Sequence, residues 1–100
     1  MASQMQTVRK GRSLPFVFDR AGASISGFIC TIEVKQFPGD VSAISRVITP
    51  TNNKWTGFLT STETAALDPI GEWMLIGVIT NATDDKEETP IIRFSLAEEL

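Results

Sequence analysis

In "GFICTIEVKQ" (27–36), Phe28, Cys30, Ile32 and Val34 alternate with Ile29, Thr31, Glu33 and Lys35. A period of two puts the first four on one face of an extended strand and the second four on the other, whereas a helix would scatter both sets. The same spacing places Leu14, Phe16 and Phe18 together in "SLPFVFD" (13–19). "AISRVIT" (43–49), "KWTGFLT" (54–60), "EWMLIGVIT" (72–80) and "PIIRFSL" (90–96) also read as strands. Turn-rich stretches separate them: "AGAS" (21–24), "FPGD" (37–40), "PTNN" (50–53) and "NATDDKEET" (81–89). About seven short strands with turns between them predict an all-β, antiparallel β-sandwich, with a small barrel as the alternative. Pro15 has no N–H to give a ladder, which places its strand at a sheet edge.

One segment breaks the pattern. In "STETAALDPIGEW" (61–73), Ser61 or Thr62 can cap a helix, Glu63 suits the first turn, and Ala65, Ala66 and Leu67 favour helix. Pro69 stops it, because the residue before a proline avoids the helical region. The expectation is one short helical turn near residues 62–67. It would carry the chain from one sheet to the other, with Leu67 plugging the end of the core and Gly71 freeing the backbone to enter the next strand. A chain of 100 residues supports one domain. It divides into an N-terminal arm or first strand (1–12), the sandwich (13–97) and a short tail (98–100). The predicted core is Phe16, Phe28, Cys30, Ile32, Trp55, Leu59, Leu67, Trp73, Leu75 and Phe94.

The run "FLTSTETAALDPIGEW" resembles a recurrent phage module in which a Ser/Thr-rich step, an E-T-A-A-L turn, a Pro-Gly step and an aromatic residue follow a strand. "VRKGRSLPFVF" resembles that module's opening, a Lys-Gly pair before an apolar strand. "ISGFICTIEVKQ" resembles its second strand. The ordered match covers about residues 8 to 96. The module is similar to the immunoglobulin-like N-terminal domain of phage baseplate upper proteins and to related small phage virion proteins. The chain departs from it twice. Trp73 stands where the family usually has Tyr, whose O–H an indole lacks, and Ile70 is inserted between Pro69 and Gly71.

The composition points away from catalysis. The chain has no histidine, the commonest general base and metal ligand. Its single Cys30 allows neither an intrachain disulfide nor a thiolate zinc site, and its setting reads as a small buried hydrophobe. No phosphate-cradling glycine loop and no nucleophile elbow is present. The acidic stretch at 84–88 has no metal-ligand spacing and reads as a solvated hairpin tip. The expectation is a non-enzyme without cofactor or metal.

Net charge is −3 and the nine basic residues form no stripe, so nucleic acid is not an expected partner. No apolar run approaches the ~20 residues of a membrane helix, and "MASQMQTVRKGR" lacks a signal peptide's apolar core.

Interaction is what remains. If Trp73, Leu75 and Ile79 face inward, then Met74, Ile76 and Val78 face out; Phe58, Ile29 and Ile91 fall on outer parities too. An apolar outer face predicts cover, by the chain itself or by a neighbouring subunit. A basic arm (Arg9, Lys10, Arg12) and an acidic tip (Asp84, Asp85, Glu87, Glu88) could order subunits by charge. The resemblance implies a virion structural protein, made in the host bacterial cytoplasm. It would be an oligomeric module of the tail or baseplate that attaches a fibre or another tail component. A capsid decoration or cement protein bound to the major capsid protein is the alternative. A soluble carbohydrate- or host-binding sandwich is the second, with Phe37 and Trp55 as its loop-tip aromatics.

Overall fold

The computed structural model describes residues 6–83 and 85–98. These hold β1 (Gln6–Arg9), β2 (Leu14–Phe18), β3 (Phe28–Lys35), β4 (Ile44–Ile48), β5 (Pro50–Thr51), β6 (Lys54–Leu59), α1 (Ser61–Ala66), β7 (Gly71–Asn81), β8 (Lys86–Glu88) and β9 (Ile92–Ala97). The strands form two layers. The larger, six-stranded sheet runs β1-β9-β7-β3-β4, with β8 also paired to β7; the smaller sheet runs β2-β6-β5. The fold is an all-β sandwich with one short helix. The small sheet's β2 lies at an edge, as Pro15 requires.

Two features differ from a purely antiparallel sandwich of seven strands. The N-terminal segment is a strand over residues 6–9, and it pairs in parallel with β9, from Gln6 opposite Phe94 to Arg9 opposite Ala97. The second edge of β7 is filled by two short pieces, β9 beside residues 71–75 and β8 beside 78–80. Thr89 and Pro90 lie between those pieces, where proline cannot donate to the ladder. Thr89 makes up the loss: its N–H donates to the Gly77 carbonyl (2.9 Å) and its Oγ1 accepts from the Gly77 N–H (2.8 Å).

The core fills the space between the layers. Phe16, Phe18, Trp55 and Leu59 from the small sheet meet Cys30, Ile32, Val34, Leu75, Ile79 and Phe94 from the large one. Leu67 and Trp73 close the end beside α1. Phe28 alone of the predicted core is half-buried. The Arg20 guanidinium lies over its ring at 3.9 Å and is held there by Glu87 (2.8 Å) and by the Ser24 carbonyl (2.8 Å). That cluster ties the β2–β3 turn to β8. Asn52 and Asn53 both adopt positive φ (53° and 61°), which the two-residue hairpin between β5 and β6 needs and asparagine tolerates.

The break between β6 and β7 spans the layers as expected, with a shifted cap. Thr60, rather than Ser61 or Thr62, caps α1: its side chain accepts from the Glu63 N–H, and Glu63 Oε1 accepts from the Thr60 N–H (2.8 Å). A capping box needs its acid three residues after the cap, so the position of Glu63 selects Thr60. Gly71, at φ +123°, opens β7 in a conformation that other residues avoid.

Candidate interaction surfaces

The segments singled out in the sequence converge on one corner. Thr64, in the middle of "ETAAL", is fully buried. Its Oγ1 accepts from the Gly11 N–H (3.1 Å) and donates to the Arg12 carbonyl (2.7 Å), so α1 grips the turn after β1. The Lys-Gly pair and the helical turn are therefore two halves of one contact. Trp73 completes the corner, its indole N–H donating to the Pro69 carbonyl four residues back (2.9 Å). An indole thus makes a backward bond to the chain, the service a phenol gives in a tyrosine corner. Sequence reasoning missed the buried role of Thr64, because a threonine in a helical turn carries no sign of what its hydroxyl touches.

Glu63 has a second task. Arg46 of β4 donates from Nε to Oε2 (2.8 Å) and from Nη2 to Oε1 (2.9 Å), and Nη2 also reaches the Phe58 carbonyl (2.6 Å). The pair links the open edge of the large sheet to β6 of the small one. The Arg46 hydrogen bonds hold the Glu63 carboxyl below its usual pKa, against a smaller opposing effect of burial. A carboxyl lowered by folding adds stability above the unfolded value and loses it as pH falls through the folded value. Glu63→Gln keeps the capping geometry and removes the charge. It should cost about 0.5–1 kcal/mol near neutral pH, a modest figure because the pair is partly exposed. The gap to wild type should begin to narrow below about pH 4.5 and close only as pH falls through the lowered folded value; urea unfolding from pH 2 to 7 checks this.

Cys30 is sealed in the core, and burial raises its thiol to about 11. It should therefore resist a thiol reagent at neutral pH in the native protein and react fully in denaturant. A stopped-flow comparison of the two states tests this.

The six predicted interface residues divide. Met74, Ile76 and Val78 point away from the core yet are only 3%, 8% and 9% exposed: of the two covers expected for this face, the chain itself supplies the one along β7, which corrects the assignment of these three residues to an interface. Strands flank β7 on both sides. Met74 lies between Lys35 and Arg93, Ile76 beside Glu33, and Val78 between Thr31 and Glu88. The aliphatic stems of such side chains can cover apolar neighbours while their heads stay in water. Ile29 (53%) and Ile91 (43%) are exposed, and Val47 of β4 (64%), which the sequence did not single out, is exposed opposite Thr31. Phe58 (53%) belongs to the small sheet, opposite Pro15, and Val17 (54%) shares its exposure. Large apolar side chains thus stand outside both layers. Ile76→Asp would bury a carboxylate and unfold the sheet, so Val47 is the better probe of that surface.

The charged residues lie apart. Arg9 sits opposite Ala97 and reaches the Glu98 carbonyl (3.1 Å), while Asp85 follows the far end of β7, bonded to Asn81 (3.2 Å). An 11-residue strand, at roughly 3.3 Å per residue, separates them by about 35 Å. Asp84 lies outside the described residues. Trp55 is fully buried in the core, which corrects its reading as a loop-tip aromatic. Phe37 is exposed at the rim of a hollow of about 340 Å³, lined also by Pro38, Ile70 and Met74 and by the Glu72–Arg93 ion pair (3.2 Å).

Fold and surface together define a small β-sandwich with a stapled corner and apolar groups on both broad faces. A scan against protein-family models finds no match for the chain, and a search of curated proteins finds none either.

Proposed function

We propose that this chain is a non-catalytic structural module of a phage virion, joining components of the tail or baseplate and holding a fibre or another tail protein. The observation that carries the reading is the exposure of large apolar side chains outside both layers, Ile29 and Val47 on one and Val17 and Phe58 on the other, with Ile91 exposed between β8 and β9. A sandwich satisfies its own core with its inner faces alone, and apolar patches beyond that mark docking surfaces. The resemblance in sequence supplies the setting. The segments that carry it are also those that Thr64, Thr60, Glu63 and Trp73 bind into one corner.

A second reading, a soluble sandwich that binds a carbohydrate or host ligand, draws support from the hollow beside Phe37. Immunogold electron microscopy of purified particles separates the readings. Label at the tail supports the proposal. Label over the head replaces it with a capsid decoration role, and particles without label favour the soluble binder.

A further inference from the structure

We infer that the hollow beside Phe37 is a binding site for a single neutral hexopyranose residue. The inference goes beyond the virion reading and does not rest on it, since a sugar site can serve a tail component and a free protein alike. The hollow, about 340 Å³, lies where β7 begins. That is the small end of the range for ligand clefts, room for one ring rather than a chain of them. Phe37 and Ile70 form its walls, Met74 (3% exposed) its floor, and Gln36, Glu72 and Arg93 its polar lining.

Both walls are fixed before any ligand arrives. Phe37 opens a closed turn: its N–H donates to Asp40 Oδ2 (3.3 Å) and its carbonyl accepts from the Asp40 N–H (3.1 Å). Its ring is nonetheless 64% exposed and takes no part in the core. Ile70 follows Pro69, whose carbonyl accepts the Trp73 indole N–H (2.9 Å), so the corner bond also anchors this wall. Ile70 is one of the chain's two departures from the phage module, and at 45% exposed it adds little to the core. Walls already in place spare the ordering cost of binding.

The polar lining selects the ligand. Arg93 Nη1 donates to Glu72 Oε1 at 3.2 Å, and among the described residues this is the pair's one side-chain hydrogen bond. Both side chains are about half exposed (52% and 51%), so Glu72 Oε2 and the other Arg93 N–H groups stay open to a ligand. An acceptor beside a set of donors matches adjacent sugar hydroxyls, which donate to the one and accept from the other. The C–H face of a pyranose suits the negative face of the Phe37 ring. An apolar occupant, such as a leucine side chain of a protein, would strip water from the ion pair and make no bond in exchange. The pair is neutral as a whole, and Lys35 on the neighbouring strand is held by Glu33 (3.1 Å). A uronate would be repelled by Glu72 and an amino sugar by Arg93, which leaves a neutral hexose.

Titration of the isotope-labelled chain with methyl β-glucoside, methyl β-galactoside and methyl α-mannoside, followed by heteronuclear NMR, tests this. At least one should shift the amides of Phe37, Ile70 and Glu72 saturably, with a Kd of about 1–10 mM, as expected for about a dozen non-hydrogen atoms in a shallow site. Phe37→Ala, at an exposed position, should weaken binding about tenfold and leave the circular dichroism spectrum unchanged. Glu72→Gln should weaken it severalfold, a loss that packing against Phe37 alone would not show. No saturable shift with any of the three sugars overturns the inference, as does binding that survives Phe37→Ala intact. Cyclohexanol moving the same amides as strongly would mark the hollow as a dock for an apolar side chain of a protein partner and overturn it too. So would tighter binding of methyl glucuronide than of methyl glucoside. The titration uses the free chain, so its failure removes the sugar site alone, whereas particles without the chain remove the virion reading alone.

Discussion

Gly77→Val should destabilise the protein by about 3 kcal/mol, the upper part of the range for overpacking a well-filled core. Gly77 sits mid-strand in β7, where glycine has no conformational advantage, and its φ is not positive. What it provides is room. A Cβ there would lie 2.9 Å from Thr89 Cγ2, 3.0 Å from Cys30 Sγ and 3.1 Å from Phe18 Cδ2. None of the three can yield easily. Thr89 is pinned to Gly77 by two hydrogen bonds, Cys30 lies in the neighbouring strand at the heart of the core, and Phe18 stacks on Phe16 with centroids 5.3 Å apart. Even Gly77→Ala should cost about 1–3 kcal/mol. Combining it with Thr89→Ser removes the closest methyl while keeping the hydroxyl that bonds Gly77. The pair should recover part of that loss, a non-additivity that urea titration of the four proteins would measure.

The second large effect is expected at Thr64. Thr64→Val keeps the shape and removes only the hydroxyl, so any loss reports hydrogen bonding. That hydroxyl serves the Gly11 N–H and the Arg12 carbonyl across 53 and 52 residues of chain. Stranding these groups should cost about 2–3 kcal/mol, since an unmet buried donor or acceptor costs about 1–3 kcal/mol and water can reach the Arg12 side of the turn. Thr64→Ser should retain most of the stability. The loss in Thr64→Val should also appear locally, as faster amide exchange at Gly11.

These two sites show where sequence reading succeeds and where it stops. Alternation assigns inner and outer faces strand by strand, which is why Cys30, Ile32, Trp55, Leu75 and Phe94 could all be placed in the core. Pro15 announced an edge, and the residues from Ser61 to Gly71 announced a crossing between sheets. Pairing is a different matter, because the partner of a strand depends on contacts far away in the chain. The parallel docking of Gln6–Arg9 on β9 joins segments some 88 residues apart, and no local signal specifies it. The same gap explains Met74, Ile76 and Val78. Parity correctly turned them outward, but only the flanking β3, β8 and β9 reveal that neighbours bury them. It also explains Phe58, whose parity is outward but from the other layer. Val47, by contrast, could have been found: it alternates with Arg46 and Ile48 in an ordinary strand, and an edge position for that strand would have exposed it. Gly77 was visible as a glycine inside a strand, a mark of close approach by another group.

The functional account is tested most directly by counting copies of the chain in purified particles, by quantitative mass spectrometry against the major capsid protein. A module of the tail or baseplate predicts a small number, in the multiples of three or six that tail symmetry imposes. A number near one per capsid subunit, or no copies at all, would contradict it.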